Sequence, residues 1–290
     1  MNFITNLIGG LSLGGIYAMI ALGYTMVYGI AKMLNFAHGD IIMVGGYTIL
    51  VFAASGVHPL IAIVLAVVFC VGLGIAIEKV AYKPLRGASP LAVLITAIGV
   101  SYLLQSLAQM IFGSGTKMVR GLELGSLTIG KLIINVSTIV TLIACIIVMV
   151  GLNLFVKYTK IGRAMVAVSE DKGAAQLMGI NVNSIIMITF AIGSALAALA
   201  GTFYLMRSPS ICSTFGSLPG IKAFTAAVIG GIGSIPGAML GGILLGIVEV
   251  FANSVPAIAP YTDAIEFAIL IVILLVKPTG FLGKKRREKV

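Results

Sequence analysis

The groups in this sequence that could carry acid–base, nucleophilic or metal chemistry are few and scattered: nine carboxylates, two histidines and three cysteines among 290 residues. His38 and His58 each stand alone, so no zinc site of the His-Glu-x2-His kind can be built from them. No Gly-x4-Gly-Lys-Ser/Thr phosphate loop occurs, and Gly280-Phe281-Leu282-Gly283-Lys284-Lys285 has neither its spacing nor its hydroxyl. Cys70, Cys145 and Cys212 are far apart, and the first two lie inside apolar runs, where cysteine behaves as a small core hydrophobe. Membrane proteases and prenyl transferases need paired carboxylates or an activated nucleophile at depth, and neither pattern is present. Catalytic residues, metal ligands and a bound cofactor are all expected to be none. Ion-driven pumping is poorly supported too, because a proton or sodium relay places ionisable groups within the spans. Asp40, Glu78, Glu249 and Glu266 are the nearest candidates. A solute moved uphill must therefore draw its energy from a partner.

Two irregular segments stand out instead. Gly230-Gly231-Ile232-Gly233-Ser234-Ile235-Pro236-Gly237 sets four glycines and a helix-breaking proline in the middle of an apolar stretch. Leu34-Asn35-Phe36-Ala37-His38-Gly39-Asp40 joins the first two spans. Two readings of it are open: a cytoplasmic turn in which Asp40 caps the next helix, or a turn that reaches into the membrane and lines a pathway. Met43-Val44-Gly45-Gly46 resembles Met239-Leu240-Gly241-Gly242, each following an interruption. Matching interruptions in two halves point to a transporter's central site.

The elements that position these segments follow from composition. Of all residues 59% are apolar and 10% charged, with a mean hydropathy of +1.14. A soluble domain needs about a quarter of its residues charged. A soluble enzyme, a disordered chain and a secreted disulfide scaffold are excluded. The expected fold class is all-α: a single polytopic transmembrane bundle over 1–290 with about eight or nine spans at roughly 20 residues each, one of them broken or re-entrant. Apolar runs fall at 5–30, 40–56, 60–80, 90–112, 134–156, 183–206, 223–252 and 262–277. They are too long and continuous for barrel strands. The N-terminus lacks the basic stretch of a secretory signal, so the first span is expected to be retained.

Charge placement orients the bundle. Lys32, Lys79, Lys83, Arg86, Lys157, Lys160, Arg163, Lys172, Lys277 and the terminal Lys284, Lys285, Arg286, Arg287 and Lys289 fall on one side. Lys117, Arg120, Lys131, Arg207 and Lys222 fall on the other. The richer side is cytoplasmic, which puts the N-terminus outside and the C-terminus in the cytoplasm. The net charge of +10 is then an orientation signal with attraction to membrane lipid headgroups as a by-product, and no nucleic acid is needed as partner. A single crossing over 223–252 would reverse the C-terminus, so that stretch crosses twice or enters and returns, as arms of about 12 and 15 residues that are short for a bilayer. Broken backbone at membrane depth requires protein or water around it, which places the segment near the molecular axis.

The glycines form faces. Gly10 and Gly14 are four apart, Gly233, Gly237 and Gly241 make a second series, and Gly242 with Gly246 a third. Such spacing lets two helix backbones approach closely. Packing within the chain suits Gly10 and Gly14; a second subunit is equally open for the later series.

The cytoplasmic loop at 157–182 reads as two short helices. Ser169 is placed to cap the second, Glu170 and Asp171 suit its positive end, and Gly179 before Ile180 marks a left-handed stop. Ala174, Ala175, Leu177 and Met178 add a small apolar face. It could lie on lipid headgroups, but its compact residues and acidic flanks suit a protein groove better. A self-sufficient carrier, the competing class, has no need of such a docking helix.

Leu34–Asp40, the loop from Gly162-Arg163-Ala164-Met165 through Glu170 to Leu177-Met178-Gly179-Ile180, and Gly230–Gly237 together resemble the signature segments of ABC-importer permeases for branched-chain amino acids, in the shorter of their two paired forms. Relatives for urea or short amides are similar. The resemblance implies a heterodimer with a second related permease, two cytoplasmic ATP-binding subunits that alone bind ATP, and a periplasmic binding protein delivering leucine, isoleucine or valine. It implies an ATPase-coupling role for Gly162, Arg163, Ser169, Glu170, Ala174, Ala175 and Gly179. It implies a pathway past Asn35, His38, Gly39 and Asp40 and past Gly230, Gly231, Gly233, Pro236 and Gly237.

Overall fold

The computed structural model describes residues 3–119, 121, 124–129 and 132–283. Arg120, Lys131 and the basic C-terminal run from Lys284 to Lys289 lie outside the described residues. Within them the chain is a helical bundle: α1 Phe3–Ala31, α2 His38–Ala54, α3 Pro59–Ile77, α4 Pro90–Phe112, α5 Val136–Tyr158, α6 Lys160–Glu170, α7 Lys172–Leu177, α8 Val182–Arg207, α9 Ser217–Gly230, α10 Ile235–Ser254 and α11 Thr262–Val276. A π turn at Glu78–Tyr82 and a 3₁₀ turn at Lys83–Leu85 extend α3. Seven helices are long and apolar enough to cross a membrane, while α2 and α9 are shorter apolar helices. Four short strands were not foreseen: β1 Lys117–Met118 pairs antiparallel with β4 Ser210–Ile211, and β2 Ser126–Ile129 with β3 Leu132–Asn135.

Helix α1 is the hub, buried almost continuously from Gly10 to Ala31. The glycine faces explain how it is surrounded. A Cβ at Gly14 would lie 2.7 Å from Ile243 Cα, and one at Gly10 2.9 Å from Ile247 Cα. Gly242 and Gly246 in turn abut Ala18 and Gly14. Gly237 and Gly241 press on Gly230 and Ala226 across the α9–α10 hairpin. Both later series are thus occupied inside the chain: in this bundle their partners are α1 and α9, and no second subunit is needed to fill them.

The break between α9 and α10 falls where the glycines and proline set it, with Gly231 and Gly233 at φ +107 and +94, a backbone region open to glycine at little cost. Pro236 does not interrupt a helix. It sits at the start of α10, where its missing N–H costs nothing, and the Ser234 hydroxyl accepts from Gly237 N at 3.3 Å. Helix α10 is therefore 20 residues, about 30 Å, and long enough to cross alone, unlike the arm expected for it; α9 at 14 residues stays short. The break also packs beside Gly29, in the last turns of α1, so it lies at the end of the bundle that the charge bias assigns to the cytoplasm and not at mid-depth.

The interruptions at depth are elsewhere. After α1 the chain passes through Lys32 at φ +61 and turns back, bringing His38 against Gly23 and Tyr24, with ring centroids of Tyr24 and His38 4.7 Å apart. Tyr24 is seven residues before Ala31, so the segment returns about 10 Å along α1 before α2 begins. After α8, residues 208–216 come in from the opposite end along α2. Ile211 lies over Gly46 and Gly216 over Gly39, again about 10 Å of descent. The β1–β4 ladder fixes the outer end of that segment.

Candidate functional site

Two short helices thus start where two unwound segments stop, and their N-termini meet. A Cβ at Gly39 would lie 2.6 Å from Gly216 O, and one at Gly220 3.0 Å from Gly39 Cα. Only glycine permits this approach. Each N-terminus carries backbone N–H groups without helical partners and the positive end of its dipole.

Beside the crossing is a cavity of about 250 Å³ lined by Tyr24, Phe36, Asp40, Ser101, Gln105 and Ser217, among others. Asp40 is 2% exposed. Its Oδ1 accepts from Gln105 Nε2 at 2.8 Å, and that amide nitrogen is 3.3 Å from both Ser101 Oγ and Ser217 Oγ. One turn further along α4, Gln109 Nε2 donates to Ser213 Oγ at 3.0 Å. A polar face of α4 therefore bridges the starts of both short helices.

The sequence-derived pathway residues divide. Gly39 and Asp40 line the cavity. Asp40 is not a cap: α2 begins two residues before it, after Ala37, and no side chain caps it, because the return along α1 starts the helix deeper than the apolar run suggested. His38 is turned onto α1, where its ring lies against Gly23 and the backbone of Ile20. Asn35 Oδ1 accepts from Tyr82 OH at 2.8 Å and pins the returning segment to the extension of α3. Gly230, Gly231, Gly233, Pro236 and Gly237 sit apart, at the α9–α10 turn near the end of α1.

Sequence reasoning missed a second polar centre. Lys222, expected outside the membrane, lies inside α9 at 4% exposure because that helix starts six residues before the apolar run. Its Nζ is 2.8 Å from Asp263 Oδ1, 3.1 Å from Glu249 Oε1 and 3.3 Å from Glu266 Oε2. Tyr17 OH donates to Glu249 Oε2 at 2.7 Å. Glu249 and Glu266 are already candidates for ionisable groups within the spans; Asp263 and Glu266 on a single helix face are the further signal that a cation lies between them. Removing the cation leaves buried acids uncompensated, so Lys222→Met is expected to cost about 3–5 kcal/mol, seen as a lowered unfolding temperature of the purified chain. An unchanged melting profile would mean that the carboxylates do not depend on it.

The loop at the other end is ordered as two helices. Thr159 Oγ1 accepts from Gly162 N at 2.9 Å to begin α6, whose inner face buries Met165 and Val168. Gly162 lies flat on α5, leaving no room for a side chain beside Val156, while Arg163 is exposed. The cap of α7 is Asp171, accepting from Gly173 N at 2.8 Å and Ala174 N at 3.0 Å, and not Ser169. Helix α6 runs through Glu170, which leaves Ser169 inside its last turn donating to Val166 O at 2.7 Å. Gly179 takes φ +82, with Gly179 N bonded to Gln176 O and Ile180 N to Ala175 O at 3.0 Å each, which closes α7 as a Schellman motif. Ala175 is buried at 4%, whereas Ala174 is exposed and Leu177 and Met178 are 91% and 83% exposed. Lys172 Nζ donates to Ala31 O at 2.9 Å, tying α7 to the end of α1 where the returning segment starts.

The chain is similar to known transport proteins over nearly its whole length. Residues 6–274 match the family model described as branched-chain amino acid transport system / permease component. The chain is 43% identical over its full length to 98% of the high-affinity branched-chain amino acid transport system permease protein BraD of Pseudomonas aeruginosa. It is 42% identical, again over its full length and 98% of the relative, to LivH of Escherichia coli K12, which bears the same description. A probable branched-chain amino acid transport permease protein LivH of Methanocaldococcus jannaschii is 31% identical over 95% of this chain and 91% of that one. With a family model spanning nearly the whole bundle, and relatives matched from end to end, the chain belongs to the family of branched-chain amino acid transport permeases.

Proposed function

We propose that this chain is the permease subunit of an ATP-driven importer that moves leucine, isoleucine and valine across the bacterial inner membrane, N-terminus in the periplasm and C-terminus in the cytoplasm. It pairs with a second related permease, receives solute from a periplasmic binding protein, and is driven by two cytoplasmic ATP-binding subunits, holding no nucleotide, metal or cofactor itself. The observation that carries this reading is the exposed pair Leu177–Met178 on a helix capped at both ends, at the end of the bundle that the charge bias makes cytoplasmic. A flexible linker would not be capped, and a lipid-lying helix would be longer and flanked by bases.

Motion follows from the connections. The ATPases pull on α6–α7; Lys172 passes the displacement to Ala31 and so to residues 32–37; Asn35–Tyr82 is the pivot that this segment must keep or break. The glycine contacts where α2 and α9 start let the two short helices part without unmeshing side chains. The pathway then runs past Gly39 and Asp40 at depth and past the Gly230–Gly237 turn at the cytoplasmic end.

The test is reconstitution. The chain, co-expressed with its candidate permease partner and ATPases in proteoliposomes, is expected to accumulate leucine only with ATP and loaded binding protein. Accumulation by the isolated chain without ATP would replace this reading with a self-sufficient carrier.

A further inference from the structure

Among the described residues, five acidic side chains lie within the bundle or at its rim, and four of them face a cation. Glu78 pairs with Arg86, and Glu249, Asp263 and Glu266 surround Lys222. Asp40 faces none: no described basic group forms an ion pair with it, and the cavity beside it is lined by no lysine, arginine or histidine. Yet at 2% exposure it is as buried as Glu78 and more buried than Glu249 or Asp263. A carboxylate taken out of water is stable only when a charge or a full set of hydrogen bonds replaces the water. Here hydrogen bonds from the Gln105 amide at 2.8 Å and from the Ser101 side chain, with the start of α2, are what the protein supplies, and none of these donors carries a full positive charge. A missing positive charge is the chemical meaning of the site.

The cavity states which cation. Its lining divides into a polar side, with Ser101, Gln105 and Ser217 around Asp40, and an apolar side of Phe36, Ile98 and Ile221. The start of α9 adds the positive end of a second helix, which suits an anion. A metal ion would want several hard oxygen ligands, including more carboxylate than one, and no group of three His, Cys, Asp or Glu side chains is assembled among the described residues. A ligand with a primary ammonium, a carboxylate and a branched apolar tail meets all three features.

We infer that Asp40 receives the α-ammonium of the transported amino acid at a binding site inside the permease, between the starts of α2 and α9, so that the membrane subunit itself recognises the solute as a zwitterion. The inference rests on the importer reading above, and it deepens it: selection is not confined to the binding protein.

The experiment uses the assembled importer in proteoliposomes with leucine-loaded binding protein. Two probes are added, each at a concentration that leaves leucine on the isolated binding protein: 3-methylbutylamine, which keeps the ammonium and the tail, and 4-methylpentanoate, which keeps the carboxylate and the tail. The amine is expected to slow leucine uptake by the wild-type importer and the acid to have a smaller effect. Asp40→Asn is expected to lower uptake about thirtyfold and to abolish the amine's inhibition, and Asp40→Glu to restore part of both. Equal inhibition by the two probes, inhibition by neither, or wild-type uptake by Asp40→Asn overturns the inference, as does uptake that follows sodium concentration and ignores the amine. The probe comparison needs no variant, so a poorly folding Asp40→Asn leaves it decisive. Absence of leucine uptake by the wild-type importer strikes the permease reading instead.

Discussion

Exchanging Leu177 and Met178 together for aspartate is expected to abolish ATP-driven uptake while leaving the bundle intact. Both side chains are almost fully exposed, at 91% and 83%, and neither supports the fold. Helix α7 is held by Asp171 at one end, by Gly179 at the other, and by the burial of Ala175 on its inner side. Burying two such side chains in an ATPase groove contributes about 1.5–3 kcal/mol each. Replacing them by carboxylates removes that contribution and adds the cost of desolvating charge, so docking should weaken by at least about 100-fold. The measurements are ATP hydrolysis stimulated by loaded binding protein and co-purification of the ATP-binding subunits, beside the circular-dichroism melt of the permease. Leu177→Met keeps the apolar area and should keep coupling. Full uptake by the double aspartate variant would move docking to the outer face of α6, where Arg163 and Val166 are exposed.

What the sequence made legible was local chemistry. The α9–α10 break and the stop of α7 are written in glycines whose conformations ordinary residues resist, Gly231, Gly233 and Gly179, and they occur where expected. The cap of α7 was read two residues out of place: Ser169 and Asp171 are both cap residues by type, and which one caps depends on where α6 ends. The depth of the 32–37 return was not legible, because it is set by how His38 and Gly39 fit Gly23 and Gly216, far away along the chain. Lys222 looked like an outside charge for want of its partners, 27 and more residues distant in α10 and α11. Periodicity shows which face of a helix is small or polar. It does not show which other helix that face meets. The same limit left the later glycine series open between a neighbouring subunit and this chain.

The glycine contact between α1 and α10 therefore carries the second large effect, and it concerns assembly of the bundle. Gly246→Ala is expected to destabilise the purified permease by about 3 kcal/mol, because one added methyl must displace backbone. At Gly246 the new Cβ would run into Gly14 N and Cα, and into Gly10 O at 2.9 Å; none of these is the flexible end of a side chain. Helix α1 cannot retreat, since its opposite faces are committed to α8, α9 and α5; at Gly15, for example, an added Cβ would lie 3.0 Å from Cys145 Sγ. Gly99→Ala is the matched control: Gly99 lies on α4 with no neighbour within 4 Å of the added carbon, and there alanine should stabilise slightly through its better helix propensity. Thermal unfolding of both variants in detergent compares them directly. Were Gly246→Ala as stable as Gly99→Ala, α1 and α10 would not be in close contact, and the arrangement that places the starts of α2 and α9 beside Tyr24 would lose its support.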